Sequence, residues 1–167
     1  ENTRGALEAI ERNARSQMKL IADLLDISRI VSGKLRLEVA PLETDALIES
    51  AVDVVRPAAD ARNIQLEVVL GSNAGPISGD FDRLQQVVWN LLTNSVKFTP
   101  KGGKIQVRLG RINSHVEITV IDNGQGIDPA ALPYIFERFR QADQTSTRVH
   151  GGLGLGLSIA RQLVELR

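Results

Sequence analysis

The chain contains no cysteine among its 167 residues. Disulfide bonds and thiolate metal sites are therefore excluded, and the absence fits a reducing compartment. No apolar run approaches the roughly 20 residues that a helix needs to cross a bilayer. The opening residues 1–4 do not resemble the start of a signal peptide, and the sequence has no internal repeat.

The sequence also lacks an excess of charge of either sign, because 20 basic residues balance 20 acidic ones. Without a net field, nothing draws it to nucleic acid or to anionic membranes. The composition, 43% hydrophobic and 24% charged, is that of a soluble globular protein. At this length we expect one well-packed domain with an appendage.

The first segment has the pattern of one long helix. Apolar and small residues recur at alternating spacings of three and four from Leu7 to Val31, and Gly33 is a natural C-terminal stop. Such a helix cannot bury its stripe against itself, so we expect a partner helix from outside this chain or from another subunit. The alternative is a long helix packed on its own globular domain.

From about Leu35 the sequence alternates predicted strands and helices. Strands grouped with helices on one face predict a two-layer α/β sandwich with a largely antiparallel sheet. We predict strands at 35–39, 64–70, 104–110 and 116–121, a helix from Thr44 or Asp45 to 62, a helix capped by Asp80 to 98, a short helix from 129, a polar loop at 140–150 and a last helix from 153.

The most informative polar pattern lies between Asn90 and Pro100. On a helix, Asn90, Asn94 and Lys97 share one face, opposite to an apolar face. Asparagine is unfavourable inside a helix because its amide competes for backbone hydrogen bonds, so this face looks placed for a ligand. Neutral oxygen donors with an ammonium suit a hydrated Mg²⁺ that carries phosphates. The alternative is an ordinary solvated helix face.

Asp122 ends a predicted strand, and Gly124 and Gly126 follow it. A type I′ hairpin at 123–124 is the plain alternative, but residues 129–136 have helical rather than alternating spacing. A carboxylate at a strand end can accept a hydrogen bond from an exocyclic amine such as that of adenine. The glycines let the backbone approach a ligand closely.

Residues 151–156 combine glycine and leucine where the last helix begins. Glycines at a helix N-terminus let phosphate oxygens reach backbone N–H groups. The segment is not a Walker A loop, because no Gly-Lys-Ser/Thr follows, and its glycine spacing is not that of a Rossmann fingerprint. The polar run 141–148 before it predicts a mobile lid.

In this order, residues 90–97, 122–126, 136–139 and 152–156 resemble the N, G1, F and G2 boxes of the sensor histidine kinases of two-component systems. These kinases belong to the wider ATPase superfamily that includes gyrase, Hsp90 and MutL. The resemblance covers nearly the whole chain. It implies a partial dimerisation and phosphotransfer helix at 1–33, coiled-coil-like and without its acceptor helix. It also implies an α+β catalytic ATP-binding domain at 34–167, a two-layer sandwich without the family's final hairpin.

The resemblance also implies a role for each matching residue. Asn94 is expected to bind Mg²⁺, Lys97 to contact phosphate, and Asp122 to accept from the adenine amino group. Asn90 and Lys97 are the expected catalytic residues, and both contact the nucleotide. The other expected ATP-binding residues shape the adenine pocket, anchor the lid or close over the triphosphate: Gly124, Gly126, Ile127, Phe136, Phe139, Gly152, Leu153, Gly154, Leu155 and Gly156. The two phenylalanines would be equally at home in a core.

The resemblance further implies that the site transfers phosphate rather than hydrolysing ATP. Hydrolysing relatives carry a glutamate where this chain has Asn90, and an amide cannot act as a general base. The γ-phosphoryl would pass to a histidine on a helix upstream of residue 1, and then to an aspartate of a response-regulator receiver domain. Since His115 and His150 lack a helical context, the chain alone is not expected to autophosphorylate.

Three alternatives stay open beside this interpretation: a degenerate nucleotide-binding module, an anti-sigma-type serine kinase and a gyrase-type hydrolase. Intact boxes disfavour the first, the N-terminal helix disfavours the second, and Asn90 disfavours the third. The resemblance also implies a homodimer through the N-terminal helix. We expect the catalytic portion to be cytoplasmic, with any membrane anchor in segments absent from this chain.

Overall fold

The structure is a computed structural model that describes residues 2–71, 74–140 and 154–166. The chain divides into two compact units, Glu1–Arg36 and Leu37–Arg167, and each is described by itself. The lid predicted at 141–150 lies outside the described residues. None of the helices in the described part of the chain combines the length and apolar content that a membrane crossing requires.

The first unit is a single helix, α1 (Asn2–Val31). It ends as predicted at Gly33, whose φ of 64° is the left-handed conformation that favours glycine. The Gly33 amide donates to the Ile30 carbonyl at 3.1 Å, and the Lys34 amide donates to Arg29 at 2.9 Å. The apolar stripe is exposed at Leu7, Ile10, Met18, Ile21, Leu24, Leu25 and Val31.

The second unit is built on a three-stranded sheet with the order β2-β4-β5. Strand β2 (Gln65–Leu70) runs parallel to β4 (Lys104–Ile112), and β4 runs antiparallel to β5 (His115–Asp122). The short strands β1 (Ala40–Leu42) and β3 (Ile77–Gly79) form a separate antiparallel pair. The helices are α2 (Thr44–Asp60), α3 (Phe81–Phe98) and α4 (Gly156–Glu165), and α3 contacts both of the others.

Alternation along β4 shows which face of the sheet is buried. Ile105, Val107 and Leu109 face the helices and are at most 3% exposed. On the other face, the Lys104 ammonium lies 2.7 Å from the Glu67 carboxylate. The helices complete the core with Ile48, Val52 and Val55 of α2 and Val88, Leu92 and Val96 of α3. One sheet face covered by helices is the predicted two-layer α/β sandwich.

Helix α3 occupies the predicted range and is held at both ends. The Asp80 carboxylate accepts from the Arg83 amide at 3.1 Å, which satisfies a free N–H of the first turn. Its other oxygen accepts from the Glu38 amide at 2.9 Å, so the cap also holds the segment before β1. At the other end, the Arg62 guanidinium donates to the carbonyls of Val96 and Lys97. These contacts leave little freedom for the polar face of α3.

Several strand predictions were wrong. Residues 35–39 form no strand, and the strand begins at Ala40 instead, where Leu42 pairs with Ile77. Strand β3 was missed because it lies at the end of a loop rich in glycine and turn residues. The sheet was expected to be largely antiparallel, but it is mixed: β4 and β5 are antiparallel, whereas a crossover that includes α3 makes β2 and β4 parallel.

Two helix predictions also need correction. The helix expected from Pro129 is only a 3₁₀ turn at Leu132–Tyr134. Pro133 has no N–H to donate to an earlier carbonyl, so an α-helix cannot continue through it. Helix α2 is capped neither by Thr44 nor by Asp45. It begins after Glu43 without a side-chain cap, and the Thr44 hydroxyl donates to the Gly75 carbonyl at 3.1 Å.

The double role of Asp80 generates a stability prediction. We expect Asp80→Ala to lower the free energy of unfolding by about 1–2 kcal/mol, as removal of a capping carboxylate does. Asp80→Asn should cost less, because its single oxygen can still accept one of the two hydrogen bonds. Urea unfolding followed by fluorescence of Trp89, the only tryptophan and a residue of α3, measures both losses.

Asp82→Ala is the matched control, since Asp82 is exposed in the same helical turn. It should lower the free energy of unfolding by about 0.3–1 kcal/mol at most, because only the interaction with the helix dipole is lost. Equal losses for Asp80→Ala and Asp82→Ala would contradict the capping role.

Candidate functional site

The polar face of α3 is where the sequence predicted it, but it is less solvated than a plain helix surface. Asn90 is 3% exposed, while Asn94 and Lys97 are half-buried on the following turns. The Asn90 Nδ2 is buried and has no hydrogen-bond partner among the described residues. A buried amide N–H without a partner costs free energy. The interpretation of Asn90 as part of a solvated helix face is therefore wrong.

Asn90 lies against the first residue of α4. A Cβ atom added to Gly156 would sit 3.3 Å from the Asn90 Oδ1 and 3.5 Å from its Cγ. The glycine thus leaves room for the amide at the contact between α3 and α4. Of the predicted glycine segment, Gly152 and Leu153 lie outside the described residues, and Leu155 is buried at 2% exposure.

Lys97 brings a positive charge to the last turn of α3. Its Nζ lies 4.8 Å from the centre of the Phe98 ring, within the range of a cation–π contact. Partial burial lowers the pKa of the Lys97 amine from its ordinary value. A partly desolvated ammonium gains more than an exposed one from a bound anion.

Asp122 ends β5, as predicted, and both of its carboxylate oxygens have partners. Oδ1 accepts from the Gly124 amide at 2.9 Å, and Oδ2 accepts from the Ser95 hydroxyl of α3 at 2.9 Å. Sequence reasoning missed Ser95. No pattern in one sequence links a helical serine to a carboxylate that follows 27 residues later.

The loop after Asp122 closes on the C-terminal end of α3. A Cβ atom on Gly124 would meet the Phe98 carbonyl at 2.7 Å, so only glycine fits there. The Gln125 amide donates to the same carbonyl at 3.4 Å. No hairpin forms at 123–124. Instead, the Asn123 Oδ1 accepts from the Lys104 amide at 2.7 Å, which fixes the loop to the start of β4. Sequence reasoning had missed this role of Asn123.

The rest of the loop carries two further predicted residues. Gly126 has a φ of 74°, which a larger side chain would strain. Ile127 is 48% exposed. An exposed apolar side chain next to a glycine of positive φ is compatible with a ligand surface.

Phe136 and Phe139 are 40% and 61% exposed, so the alternative that they belong to a core is wrong. The Arg161 guanidinium of α4 lies 6.0 Å from the Phe136 ring centre. Gly154, with a φ of 68°, packs its Cα against the backbone of Arg140 so closely that a Cβ atom would clash with the Arg140 carbonyl. Arg140 and Gly154, which flank residues 141–153, are therefore in contact.

The second unit thus has two polar ends joined by α3. One holds the amides of Asn90 and Asn94 with the Lys97 ammonium along the polar face of α3, where Asn90 meets the start of α4. The other holds the oriented carboxylate of Asp122. The first has donors and a cation for an anion, and the second has an acceptor for an amine or hydroxyl.

Comparison with known proteins identifies the family of the chain. The profile of the family described as histidine kinase-, DNA gyrase B- and HSP90-like ATPase matches residues 79–167. Hybrid signal transduction histidine kinase D of Dictyostelium discoideum is 39% identical over 98% of this chain and 12% of its own length. The signal transduction histidine-protein kinase BarA of Escherichia coli K12 is 34% identical over 97% of this chain and 18% of its own length. The chain spans only a small part of these relatives.

Solved structures are similar as well. Full-length ShkA in complex with AMPPNP superposes with a TM-score of 0.83 at 28% identity, covering 99% of this chain and 34% of that one. The catalytic domain of the histidine kinase ThkA gives a TM-score of 0.68 at 25% identity, over 77% and 80% of the two chains. The predicted fold class is confirmed. The chain therefore belongs to the histidine kinase-, DNA gyrase B- and HSP90-like ATPase family, and it is similar to the ATP-binding catalytic domains of histidine kinases.

Proposed function

We propose that this chain transfers the γ-phosphoryl group of Mg-ATP to a histidine on a helix outside residues 1–167. The observation that carries the proposal is the buried amide of Asn90 at the contact with Gly156. A neutral amide in this position can hold a phosphate oxygen or a metal ligand but cannot take a proton from water. The nucleotide would then react with a positioned protein nucleophile instead.

Mg²⁺ fits the donor set of α3. The described residues contain no group of three histidine, cysteine, aspartate or glutamate side chains that could hold a metal ion. A cation here would therefore depend on phosphate oxygens, water and neutral protein oxygens, which is how Mg²⁺ usually binds with nucleotides. We assign the amide oxygen of Asn94 to it, while the unpartnered Nδ2 of Asn90 could donate to a phosphate oxygen. When bound, Mg²⁺ neutralises phosphate charge.

The other roles follow from charge and position. The Lys97 ammonium would contact a phosphate, since partial burial strengthens its interaction with an anion. Backbone N–H groups at residues 152–156 would meet the phosphates where α4 begins. The Asp122 carboxylate would accept from the adenine amino group, and Gly124, Gly126 and Ile127 would line the adenine. Phe136 and Phe139 would anchor the segment that closes over the triphosphate.

The first unit would supply dimerisation. The exposed apolar stripe of α1 runs from Leu7 to Val31, and a helix with such a stripe is stable when a second helix covers it. Two copies of α1 with two acceptor helices would form a four-helix bundle. Since one relative is named a hybrid histidine kinase, we include transfer to an aspartate of a response-regulator receiver domain in the proposal. We further propose that the catalytic portion acts in the cytoplasm.

The metal assignment predicts a Mg²⁺-dependent defect. Asn94→Ala should weaken ADP binding by about fivefold to tenfold in the presence of Mg²⁺, because one oxygen ligand is lost. Without Mg²⁺, its affinity should equal that of the unaltered chain. Calorimetric titration with and without Mg²⁺ measures both values.

Asn13→Ala is the matched control, because Asn13 is exposed on α1 and lies outside the apolar stripe. It should bind Mg-ADP as the unaltered chain does. Undiminished Mg-ADP affinity in Asn94→Ala would count against the metal assignment.

The adenine assignment predicts a different defect. Asp122→Asn should weaken ADP about tenfold, because a charged acceptor for the amino group is replaced by a neutral amide. GDP, which has a carbonyl in place of that amine, should lose little. The ratio of affinities with and without Mg²⁺ should stay constant. Competition between the two nucleotides gives the comparison, and equal losses for ADP and GDP would contradict the role of Asp122.

The transfer reaction predicts where label appears. The 167-residue chain with γ-labelled ATP should incorporate no acid-labile phosphate, since His115 is an exposed strand residue and His150 has no helical sequence context. A fusion that places a histidine-bearing acceptor helix before residue 1 should become labelled, and the label should be lost in acid. Acid-labile label on the unfused chain that His150→Ala removes would overturn the assignment.

The same experiment separates the alternatives. Acid-stable label would identify a serine kinase. Nucleotide binding without label in either protein would identify a binding module, and steady release of inorganic phosphate would identify a hydrolase.

A further inference from the structure

Ser95 lies on α3 directly after Asn94, yet it has no role in the site described so far. It is 6% exposed, and its hydroxyl donates to the Asp122 Oδ2 at 2.9 Å. A serine inside a helix commonly bonds to a carbonyl of its own helix. Here the hydroxyl reaches across to the end of β5, so this side chain joins α3 to the predicted base-binding carboxylate.

The hydrogen bond matters because Asp122 is exposed and at the end of a strand. A carboxylate with one partner can still turn about its side-chain torsions. The Gly124 amide holds Oδ1 at 2.9 Å, and the Ser95 hydroxyl holds Oδ2 from the helix side. With one donor on each oxygen, the plane of the carboxylate is fixed. A carboxylate has about four lone-pair positions, so acceptor positions remain that point in a defined direction.

We infer that Ser95 is a positioning residue that sets the preference of the site for purines with an amino group at C6. The inference rests on the proposed contact between Asp122 and the adenine amine. An ionised carboxylate only accepts hydrogen bonds, so it attracts an amine and repels a carbonyl at the same place. The proton of Ser95 is committed to Asp122, so the hydroxyl cannot donate to a carbonyl instead. Fixing the carboxylate therefore favours adenine over hypoxanthine and guanine.

The inference also ties the two polar ends of the site together. Asn94 and Ser95 are neighbours on α3, and about 100° of helical rotation separates their directions. One turn of helix would thus hold the metal on one side and orient the base-binding carboxylate on the other. The helix is held near that turn, because the Arg62 guanidinium donates to the carbonyls of Val96 and Lys97.

The test compares ADP with IDP, which differ in the group at C6 of the base. In Ser95→Ala, ADP affinity should fall about threefold to tenfold, the effect of one lost hydrogen bond. IDP affinity should stay within about twofold, and the Mg²⁺ dependence of ADP binding should not change, because Asn94 is untouched. The preference for ADP over IDP therefore falls. Calorimetry on the whole chain gives all three values.

The matched control is Ser158→Ala. Ser158 is a buried helical serine at 1% exposure, but its hydroxyl donates at 2.8 Å to the carbonyl of Leu155, the residue before its own helix. Loss of this hydroxyl should leave the ratio of ADP to IDP affinity unchanged. If Ser95→Ala fails to fold, Ser95→Cys keeps the volume with a weaker donor and should show an intermediate preference.

A double variant tests whether Ser95 acts through Asp122. In the Asp122→Ala background, Ser95→Ala should not change the ratio of ADP to IDP affinity further. If ADP and IDP affinity fall by the same factor in Ser95→Ala, Ser95 has a merely structural role. If neither affinity falls, the inference is overturned as well. If the unaltered chain itself binds ADP and IDP equally, the adenine assignment falls together with this inference. If Ser95→Ala keeps the preference for ADP over IDP, the inference about Ser95 is wrong and the adenine assignment stands.

Discussion

The placement of α3 is the constraint on which the rest of the site depends. Its first turn is held by the Asp80 carboxylate, and its last carbonyls accept from Arg62. The loop after β5 rests on the same end, because the Phe98 carbonyl accepts from Gln125. The residues on the polar face of α3 and the carboxylate of Asp122 therefore have positions fixed by one helix. A shift of this helix would disturb both ends of the site at once.

Features carried by a single element could be predicted from the sequence. The bounds of α3 follow from a capping aspartate at its start and Pro100 after its end, and both signals are local. The end of α1 at Gly33 is local in the same way. The helical spacing of Asn90, Asn94 and Lys97 needs only the helix itself. For these features, the sequence determines the structure through contacts within a few residues.

Features that depend on the meeting of distant elements could not be predicted. The pairing of β1 with β3 involves three residues on each strand, too few for any alternation to be visible. The burial of Asn90 depends on Gly156, and the partner of Ser95 is Asp122 on another element. A single sequence contains no signal for such contacts, because the presence of each partner residue can be explained by its own helix or strand. The parallel register of β2 and β4 likewise follows from the crossover helix and not from either strand.

The chemistry of the site depends on which residue occupies the buried position 90 of α3. An ionised glutamate at the place of Asn90 would need compensation for burial next to α4, and it would then be able to activate water. The neutral amide avoids that cost and removes the base. Under the proposed function, ATP bound at such a site would lack a general base for water and would instead react with a positioned nucleophile. The exposed stripe of α1 is a surface on which a helix carrying that nucleophile could assemble. A neutral amide at position 90 and an exposed apolar stripe on α1 thus both favour the proposed transfer to a protein nucleophile.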